Sequence, residues 1–427
     1  MTAAARPEAA AEGEDLGRFR RRAREWIRAS LPPADARPPA WGHGGLSEAE
    51  ELADVEEDRR LQRLLFEAGF AGLCVPRRYG GQGLTPEHQR AFNEELRGHD
   101  YPRRLQSPTF SPCAPVLLEF GTEEQKRRHL PAMLRGEEIW MQFLSEPGGG
   151  SDVAGALTTA VRDGDQWVLN GSKIWTTGAW WSDWALCLAR TNWDVPKHRG
   201  LTVFALPIRQ PGIEVRRIEM LSGSKEFCQE FLTDVVVPDG DRVGAVDDGW
   251  TVGVRWMFHE RMLLHSPFVT MPAGTTGEVL TSSATDVAKV AAHAGDMRAL
   301  DLLGEARMLQ LVRTALAQRV SEAIAAGTLS DQAAAMTRLF AGTSSSRLQG
   351  IAFELAGEAA AAWADDEVAV GEAAMGFLMR QASSIAGGTV EMARNVISER
   401  VLGMPRERAA DRDVPFRDVP RGRGAGS

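Results

Sequence analysis

The chain has 427 residues, 43% apolar and 25% charged, enough for about three ordinary domains and a large buried core. Acidic groups outnumber basic ones, 58 to 49, for a formal net charge of -9, which argues against a general nucleic-acid binder. A composition near the soluble average excludes a disordered chain, and no apolar run approaches the roughly 18 residues of a membrane span. Four cysteines, Cys74, Cys113, Cys187 and Cys228, stand apart with no Cys-x-x-Cys pair, as expected for reduced core thiols. Met1 to Glu14 lacks the basic start and apolar stretch of a signal peptide, so the expected compartment is the cytoplasm.

In chain order, residues 1–15 read as a disordered tail and 16–137 as a helical domain. Its first helix carries a basic run (Arg18, Arg20, Arg21, Arg22, Arg24, Arg28) beside Phe19, Trp26 and Ile27, the pattern of a solvated face. After a proline-rich break at 31–39, Leu52, Val55, Leu61, Leu64 and Leu65 fall at helical spacing. Tyr79-Gly80-Gly81-Gln82-Gly83 marks a turn, and Thr85-Pro86-Glu87 a helix start with proline at the first position. Residues 138–248 turn to strands, at Gln166 to Leu169, Leu201 to Ile208 and Phe227 to Val237, with tight-turn pairs at Asp163-Gly164 and Asn170-Gly171. These predict a small antiparallel β domain. Residues 249–406 return to helices, such as Asp296 to Ala326 with Leu309, Val312, Leu316 and Val320 on one face. Residues 407–427 alternate Arg, Asp, Pro and Gly and read as a mobile tail. The expected class is α+β: an N-terminal α-helical domain, a central antiparallel β domain and a C-terminal four-helix α domain.

Several site types are excluded. There is no Walker-type phosphate loop and no Gly-x-Ser-x-Gly elbow, and Gly80 to Gly83 lacks the third glycine and preceding strand of a dinucleotide fingerprint. His259-Glu260 followed by His265 has the wrong spacing for two zinc ligands on one helical face. The richest cluster is Phe143-Leu144-Ser145-Glu146-Pro147-Gly148-Gly149-Gly150-Ser151-Asp152-Val153-Ala154-Gly155. Its glycines let backbone N–H groups approach an anion, and Ser145 and Ser151 can donate to phosphate or ring oxygens. Alone, such a turn is more often only a loop. Downstream, Asn170-Gly171-Ser172-Lys173-Ile174-Trp175-Thr176-Thr177-Gly178 brings an aromatic ring and two hydroxyls, although a lone Trp is ordinarily core packing.

In this order, within a β domain between two helical ones, the clusters resemble those of the acyl-CoA dehydrogenase family. Further matches are Leu117-Leu118-Glu119-Phe120-Gly121-Thr122-Glu123-Glu124-Gln125-Lys126, Pro131-Ala132-Met133-Leu134-Arg135-Gly136, and Ile385-Ala386-Gly387-Gly388-Thr389-Val390-Glu391 with Arg394-Asn395. The resemblance implies FAD. It places Gln142, Phe143, Leu144, Ser145, Gly150 and Ser151 along the flavin, with Ser145 near the pyrimidine edge and Ser151 near the pyrophosphate and substrate. Trp175, Thr176 and Thr177 match the segment that shields the isoalloxazine and bonds near N5, and Thr389 and Glu391 match positions approaching the adenine end.

Members of the family remove an α-proton with a Glu while hydride leaves the β-carbon. The commonest position for that Glu is occupied here by Gly387. A branch similar to isovaleryl- and long-chain acyl-CoA dehydrogenases carries it on an earlier helix, before an Arg, and Phe258-His259-Glu260-Arg261 supplies it. Glu260 is therefore the expected base and His259 a weaker candidate. Ser151, Phe258, Arg261 and the Gly387 N–H are expected at the substrate. An isolated Glu-Arg pair is ordinarily a surface ion pair, and the missing carboxylate at Gly387 reverses those odds.

One element of the resemblance is missing: no Arg-x-x-Phe-Gly motif occurs over Val279 to Arg298, and Ala288 to Arg307 resembles an actinobacterial-type subgroup. This opens the FAD stoichiometry and the choice between a homodimer or tetramer and a heteromer with a related subunit. The expected activity is formation of a 2,3-enoyl thioester from an acyl-CoA or acyl-carrier-protein thioester, with electrons passing to an electron-transfer flavoprotein and no metal, nucleic acid or membrane involved. Alternatives are an acyl-carrier-protein dehydrogenase or flavin monooxygenase of the same fold, or a non-catalytic subunit of a heteromer. Trp180, Trp181 and Trp184 are expected to pack, one of them bordering the acyl pocket.

Overall fold

The structure, a computed structural model, describes residues 14–34, 46–263, 266–273, 295–362, 368–409 and 411–420. Most of the expected N-terminal tail and part of the stretch searched for Arg-x-x-Phe-Gly lie outside the described residues. The first helix, α1 (Leu16–Ser30), starts at Asp15, whose side chain accepts from the Arg18 N–H at 3.1 Å, and buries Phe19, Ala23 and Ile27. Its arginines face outward, Arg20 and Arg24 to Glu94 and Glu95 and Arg22 to Glu14. Helix α2 (Glu48–Glu67) opens with a reciprocal Ser47–Glu50 capping box. Then follow α3 (Pro86–Glu95), the single turn α4 (Arg103–Leu105), α5 (Ala114–Phe120) and α6 (Glu123–Leu134), the last with a second capping box at Thr122 and Gln125.

Between α4 and α5 the irregular stretch Gln106–Cys113 joins three parts of the molecule. The Thr109 hydroxyl bonds both backbone groups of Trp140, Ser111 donates to the His259 carbonyl at 2.7 Å, and the Gln106 Oε1 accepts from the Thr270 N–H. Its buried polar atoms thus find partners in the sheet and in the helix that carries Glu260.

Eight strands follow: β1 (Trp140–Phe143), β2 (Thr159–Asp163), β3 (Gln166–Thr177), β4 (Trp184–Arg190), β5 (Leu201–Pro207), β6 (Ile213–Ile218), β7 (Phe227–Pro238) and β8 (Arg242–Val243). They form one sheet in the order β6-β7-β3-β2-β4-β5-β8, with β1 on β4. The sheet is mixed and not antiparallel as expected, because β1 runs parallel to β4 and β2 meets β4 parallel at Thr159 and Arg190. Parallel neighbours need a long crossover, and local turn signals do not reveal one. Asp163-Gly164 is the β2–β3 turn, but Asn170-Gly171 lies inside β3, where the register with β7 shifts. There the Asn170 side chain bonds Asp234, and a Cβ on Gly171 would stand 2.5 Å from Thr158 Oγ1. That pair serves a bulge.

The C-terminal part is helical as expected: α7 (Gly249–Arg261), α8 (Met297–Ala325), α9 (Ala334–Ala356), α10 (Val368–Met379), α11 (Ala382–Ile385) and α12 (Val390–Val396). Helix α7 belongs to the main core through Val252 and Trp256, whereas Leu302, Ala306, Leu348, Ile351 and Ala373 form a second, smaller core. The expected mobile tail is instead docked over 411–420. Phe416 is buried, stacks on Trp193 at 5.4 Å and lies 3.8 Å beneath the Arg190 guanidinium. The Phe416 and Arg417 N–H groups donate to the Val195 and Trp193 carbonyls, and Asp411 pairs with Lys197 at 3.2 Å. One aromatic anchor outweighs the polar composition. Phe416→Ala is therefore expected to free the segment, read as new proteolytic cleavage within 411–420 while the main thermal transition changes little; unchanged protection there would show that the ion pair suffices.

Candidate active site

The site begins on β1. Gln142 Oε1 accepts from Trp256 Nε1 at 2.6 Å, so its amide NH2 is turned to the hydrogen bond it shares with Glu260. Trp256 and Glu260 are four residues apart on α7 and share one face, so a single amide fixes both. Burial pushes the Glu260 carboxyl above its ordinary range, opposed by Arg261, by the Gln142 bond and by Arg338. Such a carboxylate is a stronger base than one in water.

The expected cluster of Glu260, Arg261 and Gly387 comes together. Arg261 Nε donates to the Gly387 carbonyl at 3.4 Å and Arg338 Nη2 to the Ala386 carbonyl at 2.6 Å. Gly387 and Gly388 have φ of 69° and 97°, left-handed backbone that favours glycine. Arg338, near the start of α9, is a site neighbour that its sequence context does not distinguish. His259 is otherwise engaged: its Nε2 lies 2.8 Å from Glu119, which Arg255 also grips at 2.7 Å. Burial alone would raise the Glu119 carboxyl, but these two partners bring it down to about 2.

Beside Gln142 lies a cavity of about 300 Å³ lined by Ser107, Pro108, Gln142, Thr177, Glu226, Phe227 and Leu263. At its rim Trp175 has φ 67° at a bulge in β3, remains 53% exposed and packs edge-on against Phe227. A bulky residue in left-handed backbone costs of order 1–3 kcal/mol and points to function. The bulge turns Thr176 inward, where its hydroxyl meets the Gln142 carbonyl and Glu230.

The glycine-rich turn is held from beneath. Glu146 is paired with fully buried Lys173 at 2.8 Å and accepts from the Leu157 and Thr158 N–H groups, while Lys173 also donates to the Leu144 carbonyl. Ser145 accepts from the Ile174 N–H, and Gly150 and Ser151 stand exposed above it. A Cβ on Gly148 would meet nothing within 4 Å, so the turn is an open cradle.

Not every expected residue faces this space. Phe143 is buried core, Phe258 packs on His259 under Arg255, Thr389 caps α12, and Glu391 is exposed and pairs with Arg394. Trp180 and Trp181 both donate to Glu51, and Trp184 stacks on Trp140. None of the three lines the cavity.

The acyl-CoA dehydrogenase N-terminal domain matches residues 14–137 and the middle domain of the same family matches 142–235. The chain is 33% identical to the acyl-CoA dehydrogenase IpdE1 of Mycobacterium tuberculosis over 405 residues, 92% of this chain and 99% of that protein. The chain belongs to the acyl-CoA dehydrogenase family. Another member, FadE34 of the same organism, is 34% identical over 366 residues, 83% of this chain and 47% of FadE34. A solved structure described as the Tcur3481-Tcur3483 steroid ACAD has a TM-score of 0.73 at 25% identity, covering 93% of this chain and all of its own. The ChsE4-ChsE5 complex from Mycobacterium tuberculosis has a TM-score of 0.68, also at 25% identity, over 93% of this chain and 99% of that one. The protein is thus an oxidoreductase of acyl-CoA thioesters, in a family whose members are generally flavin-dependent. Among the described residues no helix is long and apolar enough to cross a membrane.

Proposed function

We propose that this chain binds FAD and converts a saturated acyl-CoA into its 2,3-enoyl thioester with Glu260 as the base. The carrying observation is the half-buried Glu260 carboxylate, held by Gln142 of β1 beside the cavity. The residues fit a flavin: strained, exposed Trp175 offers a flat wall, Thr177 a hydroxyl inside the cavity, and Ser145, Gly150 and Ser151 an open turn for anionic oxygens. Bound FAD would supply the hydride acceptor. Glu260 takes the α-proton, and the Gly387 N–H bonds the thioester carbonyl and stabilises the enolate. Arg261 holds the 386–388 turn in place.

Two further parts rest on the relatives. The steroid-related structural neighbour favours an acyl group on a bulky ring system, and the two-component names of both neighbours favour a heteromer with a related subunit. The missing Arg-x-x-Phe-Gly motif points the same way. An electron-transfer flavoprotein as acceptor, a cytoplasmic location and domain limits at 16–137, 138–248 and 249–406 complete the reading.

The test is the visible spectrum of the purified protein, alone and with its partner. Oxidised-flavin absorption is expected, weaker than one per chain without the partner, and a folded, assembled protein that takes up no added FAD would overturn the reading. Trp175→Gly should separate strain from binding. Thermal stability is expected to hold or rise, since glycine accepts φ 67°, while FAD affinity falls; unchanged affinity would remove Trp175 from the flavin site.

A further inference from the structure

Three ionisable side chains are buried together beneath Trp175 and Thr176: Glu146, Lys173 and Glu230, the last two fully buried and opposite each other on β3 and β7. One ammonium faces two carboxyl groups. Lys173 Nζ donates to Glu146 Oε1 at 2.8 Å and to the Leu144 carbonyl at 3.2 Å, and Glu146 takes two backbone N–H groups besides. Glu230 makes one side-chain bond, between Oε2 and Thr176 Oγ1 at 3.0 Å, with its own backbone N–H close by, and among the described residues its buried Oε1 meets no other chemical group within hydrogen-bond geometry. A bare oxygen on a buried carboxylate is costly, and far less so on a neutral acid.

The hydroxyl of Thr176 links the protonation of Glu230 to β1. It lies within hydrogen-bond distance of the Gln142 carbonyl, at 3.3 Å, as well as of Glu230. A hydroxyl has one proton to donate, and a carbonyl can only accept. Both bonds form together only if Glu230 is the donor in its own.

We propose that Glu230 is a positioning residue that acts as a buried neutral acid: its carboxylic O–H donates to Thr176, and Thr176 donates to the Gln142 carbonyl. The chain of bonds fixes β1 where its Gln142 side chain holds Glu260 and lines the cavity, and fixes β3 where Thr177 lines it and Trp175 packs on Phe227. Burial raises the Glu230 carboxyl to about 8, against the pull of Thr176 and Lys173. The other groups facing it are Glu146, neutralised by Lys173, Cys187 of β4 and Cys228 on its own strand, with Arg217 of β6 opposite Cys228. Both thiols are pushed up to about 12, chiefly by burial, and remain neutral over the window concerned. As pH rises through about 8, Glu230 ionises and becomes an acceptor only. Thr176 then turns its proton to Glu230, and the Gln142 carbonyl loses its donor.

Two measurements on the full-length chain test this. Infrared difference spectra between pH 6 and 10 should show a protonated carboxylic acid titrating near pH 8 in the parent and missing from Glu230→Gln. The second measurement uses FAD as the probe and rests on the proposed function. Parent affinity should weaken by roughly three- to tenfold above pH 8, the worth of one hydrogen bond. Glu230→Gln, whose amide still donates to Thr176, should bind equally at every pH, and Glu230→Val should bind weakly throughout. A band titrating near pH 8 with the parent's full amplitude in Glu230→Gln, or an alkaline decline that this variant shares with the parent, overturns the proposal; a band that Glu260→Gln removes belongs to Glu260. Absence of FAD binding at any pH would overturn the proposed function instead, and the infrared band would still decide Glu230.

Discussion

Glu260→Gln is expected to slow flavin reduction by an acyl-CoA by about 10²–10⁴-fold or more, the contribution of a positioned base, with FAD content unchanged. The amide keeps the size and can still accept from Gln142, which Trp256 holds in one orientation. It also removes a buried charge, so thermal stability should hold or rise. The sign of the pH dependence follows from the raised carboxyl: Glu260 works as a base only when ionised, so the parent rate should fall on the acid side at a pH above the ordinary carboxylate range. If Glu260→Gln reduces flavin as fast as the parent, the base lies elsewhere, in His259 or in a partner chain. A Glu placed at Gly387 is expected to rescue little. Its backbone is left-handed, with φ 69°, and an L-residue there is strained by of order 1 kcal/mol.

Lys173→Met carries the largest expected loss of stability, about 3–5 kcal/mol, because it strands the Glu146 carboxylate in the core. The loss should appear as a large drop in Tm and as loosening of the 146–158 turn, whose two ends Glu146 ties together. Burial alone would raise the Glu146 carboxyl, yet Lys173 and the N–H groups of the turn hold it below its ordinary value. Its contribution is therefore present above the unfolded-state pKa and is lost as pH falls through the lower folded value. The gap between parent and Lys173→Met should accordingly narrow in acid. A Tm equal to the parent's at neutral pH would show that the backbone N–H groups alone satisfy Glu146.

What the sequence made legible was local. The helix start at Thr85-Pro86 is written in neighbouring residues, and the Glu260-Arg261 pair stands out because the carboxylate of the commoner position is missing at Gly387. The unread features depend on distant partners. The parallel pairing of β1 with β4 joins segments separated by a hairpin, and Asn170-Gly171 has the composition of a turn but meets Thr158 inside a strand. Gln142 reads as a flavin-lining residue, and its hold on Glu260 shows only once Trp256 arrives from 114 positions away. Glu230 did carry a signal. It alternates with Cys228 and Leu232 on the inward face of β7, and an acid between two apolar residues at period two marks a buried carboxyl.

The docking of Phe416 changes how the last third of the chain is connected. Near Leu201 the sheet pairs with Asp248, where the helical region departs, and at Trp193 and Val195 the adjoining β4–β5 loop receives the backbone of Phe416 and Arg417. The intervening stretch of roughly 170 residues is thus a closed excursion fastened at both feet to the same corner of the sheet, which shortens the loop whose entropy must be overcome when it re-forms. Such a unit, anchored further by α7 in the main core, cannot swing away on a single hinge. A fusion partner attached close behind Pro420 would load that second foot, whereas one placed ahead of α1 would leave it untouched.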